Sequence, residues 1–251
     1  MCLLFKKRIV VGLTTTPRRI NEIIPTLESI LNQSRKPDKI VLTLSYENAR
    51  TGETFGKIPV QLLSYIRDKP IEIIRTPDYG PATKFVGLLL TEHDEPETFL
   101  VWFDDDVIYN KHAIKLLVQT ASKSKKSVAC ASMLKVSARA CDSVTKLSKN
   151  NFHVVEGYAG VCCRVRDMPS VQNFAFYTHG EYKALPGDER YKFNSDNFML
   201  SYYLHKNKVN FLMVEGVTCD TIRDVGLGPD ALHNVQNHTS VYKYLYSIMD
   251  F

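Results

Sequence analysis

Apolar residues fall in two rhythms along this chain, short unbroken runs and stretches repeating every three to four positions, and the two alternate. The run Ile9-Val10-Val11-Gly12-Leu13 predicts a strand covered on both faces, because only such a strand carries no polar alternation. Ile20, Ile23, Ile24, Leu27, Ile30 and Leu31 then keep a helical period that ends near Gln33, with Pro25 in the first regular turn. Pro37 stops that helix, and strand, helix and strand follow at 39–44, 59–66 and 71–75. A further apolar helix at 85–90 leads to a fourth strand at 99–103. A helix over 111–124 and a strand over 128–132 continue the alternation, which predicts an α/β fold with a mostly parallel sheet and right-handed crossovers.

Beyond residue 136 the rhythm weakens. Residues 137–151 are polar and irregular and read as an exposed excursion; 161–165 is apolar; 178–193 is loop-rich, with Pro186-Gly187-Asp188 a strong turn signal. Asn194 or Ser195 caps a helix carrying Phe198, Met199, Tyr202, Tyr203 and Leu204, followed by a strand at 209–214 and a last helix at 241–249. Neither a repeat nor a linker interrupts the 251 residues, so one domain is expected.

Composition narrows the function classes. The net charge of +5 is spread over 32 basic and 27 acidic residues without a basic block. Lys123, Lys125 and Lys126 follow a helix, where cations favour the C-terminal dipole, so no nucleic-acid partner is expected. Six cysteines form no CxxC pair, and the adjacent Cys162-Cys163 is awkward for a disulfide, which predicts reduced thiols in a cytoplasmic protein. No apolar run approaches the roughly 20 residues that span a bilayer, so no transmembrane segment is expected.

The strongest chemical signal is Asp104-Asp105-Asp106, directly after the apolar run 99–103. Ligands of open α/β sheets bind beyond the carboxyl ends of strands, and hard divalent cations take carboxylate and phosphate oxygens there. Extended-chain alternation would send Asp104 and Asp106 to one side and Asp105 to the other. The competing reading is an acidic turn in which Asp106 and Asn110 cap the helix that follows.

Taken in order, these residues resemble a glycosyltransferase of the GT-A fold, family-2-like and divergent. Val10 to Leu13 with Thr15-Thr16-Pro17-Arg18 resembles the opening strand and loop of that family, and 27–34 with Pro37 its first helix. Gly80 to Gly87 resembles its Gly turn and the helix bearing a basic residue, here Lys84. Phe103 to Asp106 resembles its Asp-x-Asp metal motif, and Ser195-Asp196 the acidic pair near the acceptor of inverting members. The resemblance implies a Rossmann-like α/β/α sandwich around a mostly parallel mixed sheet, with a nucleotide-sugar half near 1–110 and an acceptor half near 111–251.

It further implies sugar transfer from a nucleoside diphosphate sugar, UDP by default, to a glycan or other hydroxyl acceptor, with Mn²⁺ or Mg²⁺. Asp104 and Asp106 would be the metal carboxylates, with His233, or else His238, completing the shell. Thr15, Arg18, Asp78, Lys84, Asp104 and Asp105 would face the donor, with Arg19 a further cation there. Asp196 would be the general base, Asp188 and Glu189 the fallbacks, and without any of them a retaining mechanism stands. One departure is plain: the second strand ends Leu42-Thr43-Leu44-Ser45 where the family usually carries aspartates, leaving Ser45, Glu47 or Asp78 to hold the base. Two rivals remain, a nucleotidyltransferase, whose Gly-rich loop after the first strand is missing here, and a catalytically silent glycan-binding module.

Overall fold

A computed structural model describes residues 7–144, 146–147, 151–168, 185–222 and 237–251. The first half runs β1 (Ile9–Thr14), α1 (Ile24–Leu31), β2 (Lys39–Ser45), α2 (Val60–Ile66), β3 (Ile71–Thr76), α3 (Thr83–Glu92), β4 (Phe99–Trp102), β5 (Val107–Tyr109) and α4 (Ala113–Ala121). The second half adds β6 (Ser127–Cys130), β7 (Met133–Val136), β8 (Cys141–Ser143), β9 (Phe152–Val155) and β10 (Val161–Arg164). It closes with α5 (Gly187–Asn194), α6 (Asp196–Lys206), β11 (Asn210–Met213), β12 (Cys219–Thr221) and α7 (His238–Ile248).

The central sheet has the order β11-β6-β10-β4-β1-β2-β3. Strands β4, β1, β2 and β3 are mutually parallel, while β10 enters antiparallel between β4 and β6. Helices cover both faces, which explains the unbroken apolar runs: Ile9, Val11 and Leu13 point into one core cluster with α1 and α4, and Val10 into another with Phe85, Leu88 and Trp102. The architecture is therefore the mostly parallel α/β sheet that the alternation predicts, in the mixed-sheet sandwich that the resemblance implies.

Two glycines let α3 lie unusually close to the sheet. A Cβ on Gly12 would stand 2.5 Å from the Lys84 carbonyl oxygen, and one on Gly87 would stand 1.8 Å from Thr43 Oγ1. This approach fixes the first turn of α3, and with it Lys84, above the ends of β1 and β2. Gly87→Ala is expected to cost about 1–3 kcal/mol by overpacking. Gly187→Ala, where nothing lies within 4 Å, should change stability by less than about 1 kcal/mol. Urea denaturation of the two variants checks the contrast.

Three elements differ from the pattern-based expectation. Residues 133–155 hold a three-stranded antiparallel sheet in the order β8-β7-β9 rather than a plain excursion; strands of three or four residues are too short to declare a period. Pro186 begins a helix rather than a turn, since proline's fixed φ suits a helix start, and α5 buries only Phe193 and Asn194 and so carries no apolar stripe. The first helix begins at Ile24, with 17–22 in turn conformation. No helix among the described residues is long and apolar enough to cross a membrane.

Candidate functional site

The loops leaving the carboxyl ends of β1, β2, β3 and β4 converge on a cavity of about 430 Å³, whose far side is built by residues of the second half. Its floor is the aspartate triplet, whose backbone is held by hydrogen bonds with α1, the adjoining β5 and the residue after β12. The Asp104 N–H donates to the Tyr109 hydroxyl oxygen (3.0 Å), Thr26 Oγ1 donates to the Asp105 carbonyl (2.8 Å), and the Ile222 N–H donates to the Asp106 carbonyl (2.7 Å). The triplet caps no helix. α4 starts only at Ala113, and Gln33 Oε1 and Asn110 Oδ1 take the N–H groups of Ile114 and His112 at its start.

Each aspartate meets a cation. Lys84 Nζ lies 2.9 Å from Asp104 Oδ1 and 3.0 Å from Asp196 Oδ2, bridging the floor to the start of α6. Arg19 Nη2 is clamped between Asp105 Oδ1 (2.6 Å) and Asp106 Oδ2 (2.8 Å). Asp105 and Asp106 thus share one partner instead of facing apart, because β4 ends at Trp102 and strand alternation does not extend through the triplet. Asp105 is buried behind the guanidinium, whereas Asp104 is about one-third exposed to the cavity.

Burial dominates the electrostatics. Asp105 is pushed up to about 6 by burial, against the pull of Arg19 and with the push of Asp106. Asp106 is also raised, by burial and by Asp104, with Arg19 opposing. For Lys84 burial works against the charge, yet Asp104 and Asp196 outweigh it and hold the ammonium well above the ordinary lysine value. Removing that ammonium strands two carboxylates. Lys84→Met is expected to lower stability by about 3 kcal/mol, the smaller end of the range for a broken buried pair because Asp104 is partly solvated. Thermal unfolding of the ligand-free protein checks it.

The remaining candidates separate clearly. Thr15 is buried and lines the cavity beside Arg19. Arg18 points outward, its Nε 2.8 Å from Glu53 Oε1, and does not line the cavity. Asp78 lines it, but its carboxylate accepts from the N–H groups of Ala49 (2.7 Å) and Gly80 (2.9 Å), tying the loop after β2 to the loop after β3. Burial raises Asp78 against those bonds. Asp188 and Glu189 sit in the first turn of α5 and do not line the cavity, and Glu189 pairs with Lys192 (2.9 Å). His238 lines the cavity at the start of α7; His233 lies outside the described residues.

Sequence reasoning passed over four contributors, namely Asn48 and Arg50 after β2, Glu156 after β9, and Tyr109 under the triplet. Asn48, Arg50 and Glu156 stand in loops that carry no period, and Tyr109 ends a strand of three residues, so only their neighbours in space reveal them. Among the described residues the cavity lining counts six carboxylates, on Asp78, Asp104, Asp105, Asp106, Glu156 and Asp196, against the three cations Arg19, Arg50 and Lys84. That excess, made of hard oxygens, suits a divalent cation. No group of three His, Cys, Asp or Glu among the described residues encloses an ion by itself, so a cation there would complete its shell from ligand and water.

Comparison with known proteins gives the following matches. The family model described as glycosyl transferase family 2 matches residues 13–145, from within β1 to just past β8. The match includes the triplet and Lys84 but not Glu156 or Asp196. Among solved structures, GalNAc-T7 with UDP, GalNAc and Mn²⁺ is similar at TM-score 0.58 and 11% identity, over 87% of this chain and 44% of that one. A 4-diphosphocytidyl-2C-methyl-D-erythritol synthase is similar at TM-score 0.46 and 11% identity, over 84% of this chain and 90% of that one. No curated protein sequence matches the chain.

Proposed function

The chain belongs to glycosyl transferase family 2, and from that premise we propose that its cavity moves a sugar from a nucleoside diphosphate sugar, a UDP-sugar first, to a hydroxyl of a glycan acceptor. The observation that carries the reading is the Lys84 bridge. One buried ammonium contacts both a carboxylate of the triplet and Asp196, so the donor end and the acceptor end of the cavity meet at a single side chain.

Asp106, with Asp104 beside it, would hold Mn²⁺ or Mg²⁺. Bound there, the ion would neutralise charge on the departing diphosphate. GalNAc-T7 has the same fold and its structure contains UDP and Mn²⁺, which supports this choice of ligands. Arg19 and Arg50 line the same cavity and suit the donor phosphates, since guanidinium groups make charge-assisted bonds to phosphate oxygens. Thr15 and Asp78 would wall the nucleotide. Asp196 would take the proton of the attacking hydroxyl, giving inversion at the anomeric carbon. Donor phosphates would draw Lys84 away from Asp196 and leave the carboxylate free to act as base. The free cysteines among the described residues suit a reducing compartment such as the cytoplasm.

A screen of nucleotide sugars with Mn²⁺, read as sugar released to water, tests the proposal. One or more UDP-sugars should be hydrolysed in a metal-dependent manner. Hydrolysis of none, with or without metal, would sink the transferase reading.

A further inference from the structure

We infer that Glu156 and Tyr158 form the acceptor subsite and that it takes an uncharged sugar ring, an inference that rests on the glycosyltransferase reading. Four of the six carboxylates in the cavity are ion-paired, Asp104 and Asp196 with Lys84, and Asp105 and Asp106 with Arg19; Asp78 is satisfied by backbone N–H groups. Glu156 is the exception. It accepts a hydrogen bond from the Ser132 hydroxyl and has no cationic side chain within ion-pair distance among the described residues. A half-buried carboxylate with spare acceptor capacity is costly unless donors arrive from elsewhere. Acceptor hydroxyls would be such donors.

Tyr158 is 42% exposed although Gly157, Ala159 and Gly160 around it are buried. The turn that presents it is fixed. The Gly157 N–H donates to Asn197 Oδ1 (3.1 Å), and the Tyr158 carbonyl accepts from the Tyr109 hydroxyl (2.9 Å). Gly160 has φ +92°, and a Cβ there would stand 2.5 Å from the Phe103 ring. The Tyr158 hydroxyl donates to Ser132 Oγ (3.3 Å), which itself donates to Glu156, so ring and carboxylate are held as one unit. A rigid aromatic face beside a hydroxyl-seeking carboxylate matches the two sides of a pyranose, its apolar C–H face and its hydroxyl edge. A carboxylated or phosphorylated sugar would be repelled by Glu156 and by Asp196, which lines the same cavity.

The Tyr109 hydroxyl accepts from the Asp104 N–H and donates to the Tyr158 carbonyl, so the subsite is tied to the triplet by one side chain. Acceptor and donor ends are thereby kept in register.

The test is a glycan array carrying neutral, acidic and amine-bearing oligosaccharides, probed with the full chain in the presence of UDP and Mn²⁺. Thermal shift by UDP with Mn²⁺ is read in parallel. The native chain should bind neutral members. Glu156→Gln and Tyr158→Ala should each weaken that binding about tenfold or more while keeping the UDP with Mn²⁺ shift, and Tyr158→Phe should bind within about threefold of native because the ring face survives. Binding only to acidic or amine-bearing glycans, no glycan binding by a native chain that still shows the nucleotide shift, or variants that bind like the native chain would each overturn the inference. Absence of the nucleotide shift in the native chain would instead count against the donor reading.

Discussion

Asp196→Asn should reduce sugar transfer by about 10²–10⁴-fold while leaving donor binding within a few-fold of native, as removal of a general base does. The substitution keeps size and shape, and Lys84 retains its 2.9 Å contact with Asp104, so the fold around the cavity stays intact. Asp196 opens α6 and lies outside the stretch matched by the family model, so its role rests on position: it lines the cavity and shares Lys84 with the triplet. Transfer and UDP binding measured on the same preparation separate the possibilities. Loss of both would make Asp196 structural, and loss of neither would remove the inverting assignment.

Asp106→Ala should lower metal-dependent transfer by about 10²–10³-fold, the range seen when one preorganised group stabilising transition-state charge is deleted. It also frees Arg19, which would keep Asp105 as its partner at 2.6 Å, so little stability should be lost. Asp105→Asn makes a useful contrast. Its carboxylate is buried behind Arg19, and its removal should act through the placement of that guanidinium, with a smaller effect on the dependence on metal.

The first half of this fold was largely legible in the sequence, and for a physical reason. Strands buried on both faces must be apolar throughout, so β1 and β4 announce themselves, and the first charged residues after such a strand mark its carboxyl end. That logic reached Asp104 and Asp106, whereas Lys84 came from the resemblance of residues 80–87 to the family's Gly turn and helix. It could not choose between Arg18 and Arg19, neighbours in the chain whose partners lie 35 and 86 residues away, Glu53 for one and Asp105 for the other. Nor could it find Glu156 or Arg50, which stand in loops without period and acquire meaning only from the cavity they share. The small sheet of β7, β8 and β9 was equally hidden, its strands being too short to alternate visibly.

Binding of a divalent cation together with a nucleoside diphosphate at the triplet is the first requirement of the proposed function. It is tested most directly by titrating Mn²⁺ into the protein with and without UDP, following free Mn²⁺ by electron paramagnetic resonance, for the native chain and Asp106→Ala. UDP should tighten Mn²⁺ binding to the native chain by about tenfold or more, a coupling of roughly 1.4 kcal/mol, and Asp106→Ala should abolish the coupling. Equal Mn²⁺ affinity with and without UDP, or the same coupling in both proteins, would contradict it.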